Sequence, residues 1–227
     1  MLGAMIRICV ITAALQGCEE PPPRPFPWPE DTLRIRHDPQ RERIWLLTHH
    51  GVSLYSTRSR ERIRQLALPG WHWAGEPYSC APDLAVGPAG EALVTSDVAP
   101  TLWRVDPAGA QVTRHELALD AEHERDVGFT ALAYSAERDA YFAVSFSGSL
   151  WRLGPGLEQA SRIALPEPLR GACALYAGPL LCVRGELGTN WTVDPEAGRV
   201  SPTAHCPGRR GWKRRRRVRL TAPLRRG

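Results

Sequence analysis

Four stretches of this chain line up with one another at intervals of 40–50 residues, and each breaks into four short runs rich in β-branched and aromatic residues. The first, from Leu33 to Leu68, reads LRIRHD, RIWLLTH, VSLYST and RIRQLAL. The second, from Asp83 to Leu119, reads DLAVGP, ALVTSD, TLWRVD and TRHELAL. The third, from Phe129 to Pro166, reads FTALAYS, AYFAVSF, SLWRLG and SRIALP. The fourth, from Ala172 to Cys206, reads ACALYAG, LLCVRGE, NWTVDP and VSPTAHC. Turn residues separate the runs, among them Asp38-Pro39, Pro88-Ala89-Gly90, Asp106-Pro107-Ala108-Gly109 and Asp194-Pro195. Runs of four to eight residues punctuated in this way are strands joined by hairpins. No segment sustains a helical period. The chain is therefore expected to be all-β.

The third run of each unit carries a ring at the same place: Tyr55, Trp103, Trp151 and Trp191, spaced by 48, 48 and 40 residues. A bulky ring recurring at that interval fits packing between adjacent sheets, because one unit cannot bury its apolar face alone. Four-stranded antiparallel units at this period are propeller-type blades. Over Leu33 to Cys206 the chain resembles the broad β-propeller class of NHL, YVTN and SMP-30-like proteins. Strand order carries the resemblance, together with the Trp-x-Val-Asp-Pro turns at Trp103–Pro107 and Trp191–Pro195. The expected fold is four four-stranded antiparallel blades over residues 32–206, either a four-bladed ring or a shortened larger propeller.

Ahead of the repeat, Met1 to Arg7 is short and basic, and Ile8 to Leu15 is an apolar run of eight. Spanning a bilayer takes about 20 apolar residues, so this run suits the core of a secretory signal over residues 1–17. Leu15-Gln16-Gly17-Cys18 resembles the bacterial lipobox, which implies that Cys18 becomes the acylated amino terminus. Glu19, where enteric lipoproteins kept at the inner membrane have Asp, favours the outer membrane, facing the periplasm or the surface; the alternative is a secreted protein. Residues 18–31 then form a proline-rich tether. Its thirteen residues after Cys18 would extend roughly 40 Å in polyproline conformation.

Charge is divided unevenly. Residues 207–227 hold ten of the 29 Lys and Arg residues and no acid, so the rest of the chain sets 19 basic against 24 acidic residues. A basic terminal run of this kind repels itself and is expected to be disordered. With an acidic body, no electrostatic footprint for nucleic acid is expected on the folded surface.

Outside the amino-terminal segment lie Cys80, Cys173, Cys182 and Cys206, an even number suited to disulfides in an oxidising compartment. A two-residue turn at Ala177-Gly178 would set Cys173 opposite Cys182 and leave Cys80 to Cys206. No Cys-x-x-Cys pair or histidine spacing supports zinc, and neither a metal nor another cofactor is expected.

In a four-stranded meander, the loops between second and third strands share one end with the loops that join units. That end gathers His49, His50, Asp97, Ser147-Gly148, Glu186, the aromatic loop Trp71-His72-Trp73 through Tyr78, and the acidic stretch Asp120 to Asp126. Loops on a rigid scaffold carry function disproportionately, and exposed aromatics anchor interfaces. The candidate binding residues are Trp71, His72, Trp73, Tyr78, His49, His50 and Asp97, the partner an envelope protein or a small ligand. No nucleophile elbow or metalloprotease helix is present, and no catalytic residue is assigned. The expected role is a surface-tethered binding scaffold held at the membrane by its lipid. The alternative, implied by the SMP-30-like resemblance, is a metal-dependent lactonase or hydrolase.

Overall fold

A computed structural model describes residues 26, 28–75, 80–106, 111–117 and 128–206. These residues form sixteen strands in four antiparallel sheets and almost no helix. Blade I is β1 (Thr32–Asp38), β2 (Arg43–Thr48), β3 (Gly51–Ser56) and β4 (Arg62–Leu66). Blade II is β5 (Leu84–Val86), β6 (Ala92–Thr95), β7 (Thr101–Val105) and β8 (Val112–Glu116). Blade III is β9 (Phe129–Ser135), β10 (Ala140–Ser145), β11 (Leu150–Leu153) and β12 (Ala160–Ile163). Blade IV is β13 (Ala172–Tyr176), β14 (Leu181–Gly185), β15 (Asn190–Asp194) and β16 (Arg199–Pro202). Within each sheet the strands pair in chain order, and the inner strands β1, β5, β9 and β13 approach their neighbours in sequence. The arrangement is the expected four-bladed propeller.

The second strand of each blade shows why. Successive side chains point to opposite faces of a sheet, so a blade flanked on both sides needs an apolar residue at every position. In β10, Tyr141 and Ala143 pack toward blade II, while Phe142 and Val144 pack toward blade IV. In β6, Ala92 and Val94 meet blade I and Leu93 meets blade III. Three apolar clusters result, one at each junction of consecutive blades.

The recurring ring has the predicted place in three of the units. Trp103 is buried between blades I and II, Trp151 between II and III, and Trp191 packs on the III–IV core. Trp103 also donates its indole N–H to the Pro69 carbonyl at 2.9 Å. Tyr55 packs in a separate cluster that holds no residue of another blade among the described residues. With Ile44 and Leu46 it lies under Phe26 and Trp28, which stack at 4.2 Å and 5° and meet the Tyr55 ring edge-on. A piece of the proline-rich segment thus takes the position of a preceding sheet.

Blades IV and I share no apolar cluster among the described residues. In β14 the outward positions are Cys182 and Arg184, against Leu181 and Val183 on the side facing blade III. The arginines that recur at equivalent places in the other blades have no counterpart here. Arg41 donates to the Pro88 carbonyl at 2.7 Å, and Arg138 to the Gly178 and Pro179 carbonyls at 3.0 and 2.8 Å. Arg104 donates to Pro155, but the residue after Trp191 is Thr192. Arg34 joins blade I to both sides, donating to the Ala81 carbonyl at 2.6 Å and to the Cys173 carbonyl at 3.3 Å.

The four cysteines of the repeat region are all in disulfides, but the pairing expected from a two-residue turn is not the one observed. The bonds are Cys80–Cys173 and Cys182–Cys206, with Cα separations of 4.8 and 5.4 Å. The β13–β14 connection is four residues long, 177–180, which sets Cys182 opposite Tyr176. Cys173 falls in a register shift between Ala172 and Ala174, further along the ladder. One bond therefore ties the segment entering blade II to the inner strand of blade IV, and the other holds the chain after β16 against β14.

Candidate functional site

The β2–β3 turn and its counterparts converge on one end of the propeller, as the meander requires. His49 and His50 form the two-residue tip between Thr48 and Gly51, both exposed. The Thr48 hydroxyl accepts the His50 N–H at 3.2 Å and donates to the Gly51 carbonyl at 3.2 Å. Gly51 has φ +127° and presses on the Leu66 carbonyl, so a side chain is excluded there.

The loop joining blades I and II folds over this end. Trp71 is half-buried on the I–II core and donates its indole N–H to the Thr95 carbonyl at 2.9 Å. The exposed His72 offers its carbonyl to the Ser96 hydroxyl at 2.7 Å. Trp73 stacks at a tilt on His49, 4.6 Å between centroids. Asp97 accepts the Ala74 N–H at 2.9 Å through Oδ1, while its buried Oδ2 has no hydrogen-bond partner. Burial pushes the Asp97 carboxyl above the ordinary range, and the backbone bond from Ala74 only partly offsets it. His49, Trp71, Trp73 and Asp97 are thus brought together, while His50 leans toward Asp31, 3.9 Å away. Tyr78, Cys18 and the Asp120–Asp126 stretch lie outside the described residues.

Each later linker is fixed to a second-to-third-strand turn in a similar way. Phe129 donates to the Ser96 carbonyl at 2.7 Å, Phe146 to Gly128 at 2.8 Å, Leu169 to Gly148 at 2.8 Å and Glu186 to Gly171 at 2.8 Å. The end is consequently a framework of linked turns.

What that framework presents was not read from the sequence. Val98, Phe146 and Leu187 stand at the tips of the corresponding turns of blades II, III and IV, with 41%, 46% and 93% of their surface open. Trp73, from the loop joining blades I and II, adds a fourth apolar side chain at this end, over the His49 turn of blade I. The signal was an apolar residue amid turn-formers, as in Ser145-Phe146-Ser147-Gly148 and Glu186-Leu187-Gly188. At the opposite end the turns carry ion pairs such as Arg58–Glu42 at 3.5 Å and Arg138–Glu196 at 3.5 Å. Among the described residues, no three His, Cys, Asp or Glu side chains cluster as a metal site would require.

No protein-family model matches the chain, and no curated protein matches it in sequence. Among solved structures, virginiamycin B lyase from Staphylococcus aureus is similar with a TM-score of 0.57 and 14% identity, covering 78% of this chain and 57% of that one. A streptogramin B lyase gives a TM-score of 0.58 at 12% identity, covering 81% of this chain and 58% of the other. The WD40 repeats of RRP9 give 0.57 at 13%, covering 79% and 53%. This chain therefore spans a little over half the length of these neighbours, and what it shares with them is the β-propeller fold.

Proposed function

We propose that this chain is an exported, lipid-anchored binding scaffold that docks a protein partner at the cell envelope through the end formed by its second-to-third-strand turns. One observation carries the reading: Trp73 of the blade I–II loop and Val98, Phe146 and Leu187 of three turns gather apolar side chains at one end, while at the opposite end Leu180 stands among ion pairs. Exposed apolar groups on a rigid framework, ringed by polar residues, are what protein interfaces are built from. The exposed His49, His50 and His72 side chains supply that polar surround, over the buried Asp97. The neighbours include both lyases and WD40 repeats, so the fold by itself favours neither catalysis nor binding. Cys18 as the acylated residue and the proline-rich residues between it and Phe26 as a spacer would hold this end clear of the headgroups.

The test is capture from native envelope extract, comparing the wild-type domain with a Val98→Asp/Phe146→Asp/Leu187→Asp variant. These positions are exposed, so the variant keeps its fold. The expected result is a stoichiometric protein retained by the wild type and lost by the variant. Retention by both, or by neither, refutes the reading. Palmitate labelling that persists in Cys18→Ser would refute the anchor.

A further inference from the structure

The junction of blades I and IV has a different chemistry from the other three. A cleft of about 390 Å³ runs along β1 and against β13 and β14, within the range of small-molecule sites, roughly 300–1,000 Å³. Its lining includes Arg34, Arg36 and Arg184, the rings of Trp28 and Tyr176, and no acidic residue. Behind the wall stands Asp83, fully buried, whose Oδ1 is 2.5 Å from Arg36 and 3.4 Å from Arg34. That carboxylate is already committed elsewhere. It accepts the Leu84 N–H at 2.8 Å and the Leu132 N–H at 3.0 Å, tying three blades together.

One carboxylate thus serves two guanidiniums, and the third has none. Arg184 is exposed on β14 directly across from Ala174, and it makes no ion pair among the described residues. Burial holds the Arg34 guanidinium below its ordinary value, with Asp83 opposing and the Arg36 and Arg184 charges adding to the effect. Positive charge is in excess at a point where water is partly excluded, and there an anion gains most from guanidinium donors.

We propose that this cleft binds a small organic anion, its carboxylate or phosphate taken by Arg184 beside the Arg34–Arg36 pair and its apolar body lying against Trp28 and Tyr176. The cleft is separate from the turn-bearing end, so the two proposals stand or fall independently.

Titration calorimetry of the full chain at low salt, with phenyl phosphate and phenylacetate as probes and benzylamine as the cationic control, tests it. At least one anion is expected to bind saturably at one per chain, and the tighter one identifies the preferred group. Arg184→Gln is expected to weaken binding about tenfold or more, as for loss of a charge-assisted bond, and Tyr176→Ala several-fold. The Val98→Asp/Phe146→Asp/Leu187→Asp variant is expected to bind as the wild type does. Absence of saturable binding by both anions would overturn the proposal, as would equal binding of benzylamine. So would undiminished binding by Arg184→Gln, which would place the anion elsewhere, for instance on the basic run 207–227.

Discussion

Removing the two disulfides separately should cost the protein unequally, and the inequality follows from the chain lengths they close. Cys80–Cys173 spans 93 residues and Cys182–Cys206 spans 24. Cross-linking restricts the unfolded chain by an entropy that grows with the logarithm of loop length, which amounts to about 4.7 kcal/mol for the longer loop and about 3.5 kcal/mol for the shorter. The loops follow one another without overlapping, so the two terms act on separate parts of the unfolded chain. With a urea m-value of about 2 kcal/mol/M, Cys80→Ala/Cys173→Ala should lower the midpoint by about 2.3 M and Cys182→Ala/Cys206→Ala by about 1.7 M. Equilibrium urea unfolding, followed by tryptophan fluorescence, measures both. The reverse order, or a negligible shift in either variant, would refute the reasoning. Connectivity can be checked on the same material. Chymotrypsin cuts after Tyr176, between Cys173 and Cys182, so a non-reduced digest should link Cys173 to Cys80 and Cys182 to Cys206. A peptide joining Cys173 to Cys182 would refute the assignment outright.

Trp103→Ala should cost about 3–5 kcal/mol, because the ring is 1% exposed at the I–II junction; a loss below about 1 kcal/mol in denaturant unfolding would contradict its role there. Trp28→Ala uncovers Tyr55, Ile44 and Leu46 and should cost about 1–2 kcal/mol, read from the same curves. Asp97→Asn should be at least as stable as the wild type at pH 7. The folded Asp97 pKa is raised, so stability tied to its protonated form is present in acid and is lost as pH rises through the folded value. The thermal midpoints of the two proteins should therefore converge as pH falls toward the ordinary carboxylate value of about 3.9, and a gap independent of pH would count against it.

The strands were legible because each run's composition states how many of its faces are covered. Ile44-Trp45-Leu46-Leu47 and Ala140-Tyr141-Phe142-Ala143-Val144 are apolar at every position, and both faces of those strands are buried. The same rule applied to Leu181-Cys182-Val183-Arg184 would have marked blade IV as covered on one side only. Disulfide pairing was not legible, because it depends on register. Two additional turn residues at 179 and 180, with a bulge at Cys173, moved the cysteines out of line. The turn-tip residues Val98, Phe146 and Leu187 were passed over because single apolar residues in turns carry no periodicity. Asp83 was hidden for another reason: its partners Arg36 and Leu132 are 47 and 49 residues away.

A propeller whose last junction holds no shared apolar cluster among its described residues has a natural place to part. Separating blade I from blade IV breaks the Arg34 bond to the Cys173 carbonyl and bares two rings beside three guanidiniums, whereas any other cut would divide one of the three large apolar clusters. The Cys80–Cys173 bond then works as a staple across the annulus, limiting how far it can gape. Breaking that bond would remove the limit while leaving the three apolar junctions in place.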